Sequence, residues 1–174
     1  ALEIVRSVAA YLPTVTPTMT MASRLYRLDT LSAPTGIDGE ARRASTADRH
    51  LLYEWYKAFG EETGVPIGNP LRDADRVASS GGCWLWLDGT GAVVSLATRR
   101  PVVAGSARVG PVYTPTQCRQ RGYGSAVTAA ASQDILDDGG VPVLFADLAN
   151  PTSNDIYQRL GYYPVEDRLQ IEFR

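Results

Sequence analysis

The segment Arg119-Gln120-Arg121-Gly122-Tyr123-Gly124 is where residue types and spacing first suggest chemistry in this chain. It follows an extended run, Val109 to Thr114, and leads into a stretch of helical pattern from about Ser125 to Leu136. Strand, glycine turn and helix in that order suit a phosphate. Glycines let backbone N–H groups approach an anion closely, and a helix N-terminus adds partial positive charge. Arg119 and Arg121 stand where charge-assisted bonds to a pyrophosphate are useful. A plain tight turn into a helix is the other reading of these residues, and at this point both stay open. Two nucleotide folds are excluded. No G-x-G-x-x-G follows a strand, and no G-x-x-x-x-G-K-S/T occurs.

A second group lies downstream. Phe145 to Asn150 reads as a strand and its end, and Asn154-Asp155-Ile156-Tyr157-Gln158-Arg159-Leu160-Gly161-Tyr162 as a short helix closed by glycine. Together the two groups resemble the GNAT acetyltransferases. The family's Gln/Arg-x-x-Gly-x-Gly/Ala loop matches at Arg119, Gly122 and Gly124, and its Asn…Tyr-x-x-x-Gly-Phe/Tyr ending matches from Asn154 to Tyr162. The likeness is clear from Val109 to Tyr163, extends over Glu40 to the C-terminus, and thins out upstream. The connection Thr114 to Cys118 is slightly longer than in the commonest members.

The resemblance implies an acyl-CoA-dependent N-acetyltransferase, with acetyl-CoA as co-substrate, no metal, and a small-molecule or peptide amine as acceptor. The amine attacks the thioester directly. Backbone around Val112, Tyr113 and Thr114 would meet the pantetheine and thioester oxygen, and Arg119, Gln120, Arg121, Gly122, Tyr123, Gly124 and Ser125 the pyrophosphate. Tyr157 matches the tyrosine that protonates the departing sulfur; its bland alternative is a tyrosine packing the last helix on the sheet. Asn150 and Asn154 either bind the pantetheine arm or cap the helix. Glu54, Glu61 and Glu62 lie on or just after the helix that borders the acceptor site in this family, and each could equally be an exposed helix carboxylate. The rival reading is a non-catalytic acyl-CoA-binding regulatory module. A homodimer fits the resemblance too.

These groups need elements to hold them. Leu2, Val5, Val8, Ala9 and Leu12 recur at helical spacing, and Thr14 to Thr20 looks like a linker. Arg24 to Leu28 is an expected strand, Ser32 to Gly39 a loop, and Glu40 to Ala44 a short strand. Ser45 or Thr46 caps a helix with the stripe Leu51, Leu52, Trp55, Tyr56, Phe59. A second helix spans Leu71 to Ser80. A hairpin follows, Cys83 to Leu87 and Ala92 to Thr98 about the turn Asp88-Gly89. Val102 to Tyr113, Val143 to Leu148 and Tyr162 to Phe173 are further extended runs. The expectation is a mixed α/β (α+β-like) domain with the GNAT fold: a mostly antiparallel twisted sheet flanked by helices, parallel only where a helix joins two strands. Residues 1–31 read as an arm, such as the end of a preceding half-domain, and 32–174 as the catalytic domain.

Composition narrows the class. The 174 residues are 44% hydrophobic and 21% charged, enough for a core without disulfide or metal staples. A net charge of -2 without a long run of one sign argues against a sequence-independent grip on nucleic acid. No apolar run reaches the ~20 residues of a membrane span. Cys83 and Cys118 lack metal-ligand spacing, and reduced thiols in a cytoplasmic protein are the simple reading. Glu3 and Arg6 in the opening segment speak against a signal peptide. His50 has no triad partners in view and reads as a solvated helix position, while Trp84 and Trp86 read as core, with one of them lining a substrate pocket as the alternative.

Overall fold

A run that is apolar at every position, Cys83-Trp84-Leu85-Trp86-Leu87, is stable as a strand only where both faces are covered. The computed structural model, which describes residues 16–173, places it inside a seven-stranded sheet. The strands are β1 Pro17–Leu28, β2 Glu40–Arg43, β3 Cys83–Leu87, β4 Val93–Arg99, β5 Ser106–Tyr113, β6 Val141–Asp147 and β7 Tyr162–Phe173. The α-helices are α1 Arg49–Thr63, α2 Pro70–Ser80, α3 Tyr123–Asp137 and α4 Pro151–Arg159. The strands lie in the order β2-β3-β4-β5-β6-β1-β7. Every pairing is antiparallel except β5 with β6, the neighbours joined by α3.

Local signals explain where the helices begin and end. Ser45 and Asp48 form a capping box over a single 3₁₀ turn, from which α1 continues until Gly64 adopts φ 67°. The Asn69 side chain accepts from the Arg72 N–H, Pro70 opens α2, and Gly81 at φ 67° closes it. Leu52 and Tyr56 of α1, with Ala74, Val77 and Ala78 of α2, pack on Cys83, Leu85, Leu96 and Tyr113. The opposite face carries Trp84, Trp86, Ala97 and Val109 against Val127 and Ala131 of α3, and Ile156 and Tyr157 of α4. The small residues Ala126, Ala129 and Ala131 let α3 lie close to the sheet.

Four expectations change. The expected linker Thr14 to Thr20 belongs to β1 from Pro17 onward; the β-branched Thr18 and Thr20 fit a pleat, and proline is tolerated as a strand's first residue. The described part of the expected 1–31 arm is no appendage, because β1 is hydrogen-bonded to β6 on one side and β7 on the other. The run from Val102 is interrupted: Ala104 (φ 50°) and Gly105 (φ 77°) turn the chain before β5 starts. Helix α4 starts at Pro151, not Asn154, because Asn150 caps it. The helix expected over residues 2–12 lies outside the described residues.

Candidate active site

Two parallel strands, β5 and β6, each feed a helix from their C-terminal ends, and crevices at such ends are where open α/β sheets take ligands. Here the pairing between the two strands is short. Ser106 to Arg108 pair with Val141 to Val143, and there the ladder stops. Beyond Arg108, β5 stays with β4, with Val112 opposite Ala97 and Tyr113 opposite Leu96, across an irregularity between Ala97 and Arg99. Beyond Val143, β6 stays with β1, up to Asp147 opposite Ser23. The strands therefore splay, and backbone groups of residues 109–113 and 144–147 that would have bonded across the gap face it instead.

The end of β5 is pinned from β4. Ser95, fully buried, donates to the Tyr113 carbonyl oxygen at 3.0 Å and lies 2.7 Å from the Thr114 hydroxyl. The chain then makes a 3₁₀ turn, Thr116–Cys118, and enters the glycine loop. Gln120 adopts φ 63° and Gly122 φ 82°, both left-handed. Gly122 is the N-cap of α3 with no side-chain cap, and the first helical bond runs from Ala126 N–H to the Gly122 oxygen. The N–H groups of Tyr123, Gly124 and Ser125 thus have no intrahelical acceptor. A Cβ on Gly124 would lie 3.2 Å from the Thr114 hydroxyl, so glycine keeps the loop and the end of β5 close together. This is a cradle for an anion, with Arg121 exposed beside it.

The resemblance puts Arg119 on the pyrophosphate; in the free chain its partners are Thr114 and Glu62. Its Nε donates to the Thr114 carbonyl at 2.8 Å, and its terminal nitrogen pairs with Glu62 of α1. Glu62 also accepts from the Tyr113 hydroxyl at 2.9 Å. Arg119, and secondarily the Tyr113 hydroxyl, hold the Glu62 carboxyl below its ordinary value. Burial, then the neighbouring carboxylate, pushes the Tyr113 phenol up to about 12. Of the three candidate carboxylates only Glu62 touches β5. Glu61 pairs with Lys57 at 3.9 Å, and Glu54 is exposed on α1.

On the other side of the crevice, Tyr157 stands in the second turn of α4. Its ring leans on Tyr26 at 6.3 Å and meets Tyr162 edge-on at 6.1 Å. Burial among these rings pushes its phenol up to about 12. Its hydroxyl makes no hydrogen bond to the described residues, whereas that of Tyr162 is engaged with Ser132 at 2.7 Å and that of Tyr26 with Asn154 at 2.8 Å. Of the alternatives for the two asparagines, the capping role describes Asn150, which accepts from the Ser153 N–H at 3.0 Å. Asn154 donates to the carbonyls of Asp147 (2.8 Å) and Asn150 (2.7 Å) and accepts from Tyr26, tying α4 to β6 and β1. The Asn154 amide is therefore occupied by the fold at both its oxygen and its nitrogen, and that of Asn150 at its oxygen.

Sequence reasoning missed Ser95 and the partnership of Glu62 with Arg119. A serine inside the apolar run Val93-Val94-Ser95-Leu96-Ala97 was a usable signal, since a buried hydroxyl demands a partner. Trp84 and Trp86 lie in the packed layer under α3, their ring N–H groups donating to Asp134 (3.2 Å) and to the Asp38 carbonyl (2.9 Å).

A splayed parallel pair, a glycine loop and an uncapped helix define the class of architecture: the chain has the GNAT fold. Within it, residues 89–171 match the family model described as FR47-like protein. The fold is similar to a GCN5-related N-acetyltransferase from Sphaerobacter thermophilus, with TM-score 0.75 and 17% identity over 100% of this chain and 56% of that one. It is similar to a GNAT-family acetyltransferase from Colwellia psychrerythraea (TM-score 0.71, 13% identity, 97% and 61% covered). A GCN5-related N-acetyltransferase from Kribbella flavida gives TM-score 0.65 and 21% identity over 98% and 73%. The chain thus spans less than two thirds of the length of the first two. No curated protein matches it. Among the described residues no helix is long and apolar enough to cross a membrane.

Proposed function

We propose that this chain is an N-acetyltransferase that moves an acetyl group from acetyl-CoA to a primary amine by direct attack on the thioester. The observation that carries the reading is the joint geometry at the C-terminal ends of β5 and β6: a splay between them flanked by the uncapped start of α3 and by Tyr157 of α4, packed on Tyr26 and Tyr162. The N–H groups of Tyr123, Gly124 and Ser125, with Arg121, take the pyrophosphate. Unpaired backbone of β5 between Val109 and Tyr113 holds the pantetheine and polarises the thioester carbonyl. The two ends fix the donor so that an amine entering the crevice meets the carbonyl carbon already oriented.

The nitrogen of the neutral amine then bonds to that carbon, the carbon–sulfur bond breaks, Tyr157 gives its hydroxyl proton to the departing sulfur, and the proton shed by the nitrogen passes through water to restore the phenol. A phenol with its pKa near 12 remains protonated at neutral pH, so the acid is always loaded. The test is CoA release from acetyl-CoA over a panel of amino acids, polyamines, aminoglycosides and peptides. Release dependent on one amine class, falling about 10²- to 10⁴-fold in Tyr157→Phe, supports the reading. Binding of acetyl-CoA without turnover on any amine replaces the enzyme with an acyl-CoA-binding module.

A further inference from the structure

We propose that the Glu62–Arg119 ion pair is exchanged for an Arg119–pyrophosphate contact when acyl-CoA binds, and that the carboxylate so released holds the acceptor's ammonium. The inference rests on the acyl-CoA reading above and adds to it the acceptor-binding group and the order of binding. Two groups of opposite charge, one needed by each substrate, satisfy each other in the free chain. Neither substrate finds its partner ready.

Geometry makes the exchange easy. Arg119 is anchored by its Nε to the Thr114 carbonyl at 2.8 Å, so its terminal nitrogens can leave Glu62 while that bond is kept. The arginine lies three residues before Gly122, the N-cap of the helix whose first N–H groups await an anion. The side chains of the pair are 43% and 38% exposed, and a pair so wet is worth about fivefold or less in an equilibrium. A pyrophosphate, doubly charged and rich in acceptors, outcompetes one such carboxylate.

Once Arg119 has left, Glu62 is not adrift. Tyr113 still donates to it at 2.9 Å, and Tyr113 is itself braced by the Trp55 ring at 5.8 Å. The result is an oriented, uncompensated carboxylate on α1, next to the end of β5. Glu54 and Glu61 offer no such link to both sites. Coupling of this kind is reciprocal: acyl-CoA tightens the amine, and the amine tightens acyl-CoA by the same factor. An ammonium arriving first meets a carboxylate already neutralised.

The experiment is calorimetric binding of free CoA to the wild type, Glu62→Gln, Arg119→Gln and the double variant, with Glu61→Gln as a control for charge alone. The exchange predicts that Glu62→Gln binds CoA about fivefold tighter, that this gain vanishes in the Arg119→Gln background, and that Glu61→Gln does not share it. Unchanged or weaker CoA binding in Glu62→Gln overturns the proposal, as does an equal gain in both backgrounds. Thermal melts of each variant confirm that both half-exposed positions leave the fold intact. A wild type that binds no CoA overturns the acyl-CoA reading itself, whereas binding without a response to Glu62→Gln overturns only the exchange.

Discussion

Tyr157 shows how much one residue's environment decides. Its position follows from the ending that Asn154 to Tyr162 makes, but the acid role proposed for it depends on its aromatic surroundings. Because burial lifts its pKa to about 12, the charged form is disfavoured and the proton stays on through the alkaline range. The rate deficit of Tyr157→Phe should accordingly be constant from about pH 7 to 10. A deficit that faded between those limits in kcat–pH profiles would mean a group of lower pKa is the acid. Gly122 is decided by backbone instead. At φ 82° a Cβ is strained, and it would also crowd Ile37 Cδ1 at 2.3 Å, the flexible end of that side chain. Gly122→Ala is expected to lose about 1–2 kcal/mol in urea unfolding and to weaken CoA binding at least tenfold. Unchanged CoA affinity would remove the loop from the site.

At the scale of elements, the crevice exists because β5 changes allegiance. Its first half pairs with β6 and its second half only with β4, so the gap is held open by whatever fixes that second half. Ser95 does so from inside β4, through the Tyr113 carbonyl and the Thr114 hydroxyl. Ser95→Ala leaves both without this partner, which costs about 1–3 kcal/mol. The same change should raise the KM for acetyl-CoA more than it lowers kcat, because the strand end proposed to hold the donor loosens. Steady-state kinetics beside urea unfolding check both halves; normal stability with a normal KM would show that β5 needs no such pin. Much of this level was readable in advance. Element types follow from hydrophobic period, and the start of α1 from the cap at Ser45.

Over the whole molecule, α3 is bound to the far half of the sheet by one buried carboxylate. Asp134 is 8% exposed and meets Arg43 of β2, Arg99 of β4 at 2.7 Å and the Trp84 ring N–H of β3 at 3.2 Å. Arg99 is itself only 13% exposed and keeps Asp138 as a second partner at 2.5 Å. Removing the shared acid in Asp134→Ala leaves the mostly buried Arg99 with Asp138 alone and the Trp84 ring N–H without its acceptor, for about 2–4 kcal/mol. For a chain of this size that is a fall in Tm of about 5–15 °C. A loss below about 1 kcal/mol would mean that apolar packing alone seats the helix. This junction lies at the opposite end of α3 from its Gly122 cap, so the variant that folds should keep its affinity for CoA.

What the sequence by itself determined is everything carried by near neighbours: the strand–loop–helix cradle at Arg119 to Gly124, the tyrosine of α4, and the rule that only a helix-linked pair of strands would run parallel. These depend on period, caps and glycine freedom, which act within a few residues. Tertiary structure alone decided that β1 lies between β6 and β7, that Arg119 answers to Glu62, and that Asn154 serves Tyr26. Those partners are 57 and 128 residues apart, and no local pattern selects among distant candidates of suitable charge or polarity. The choice is made by the one arrangement that buries both sheet faces and satisfies the polar groups buried with them.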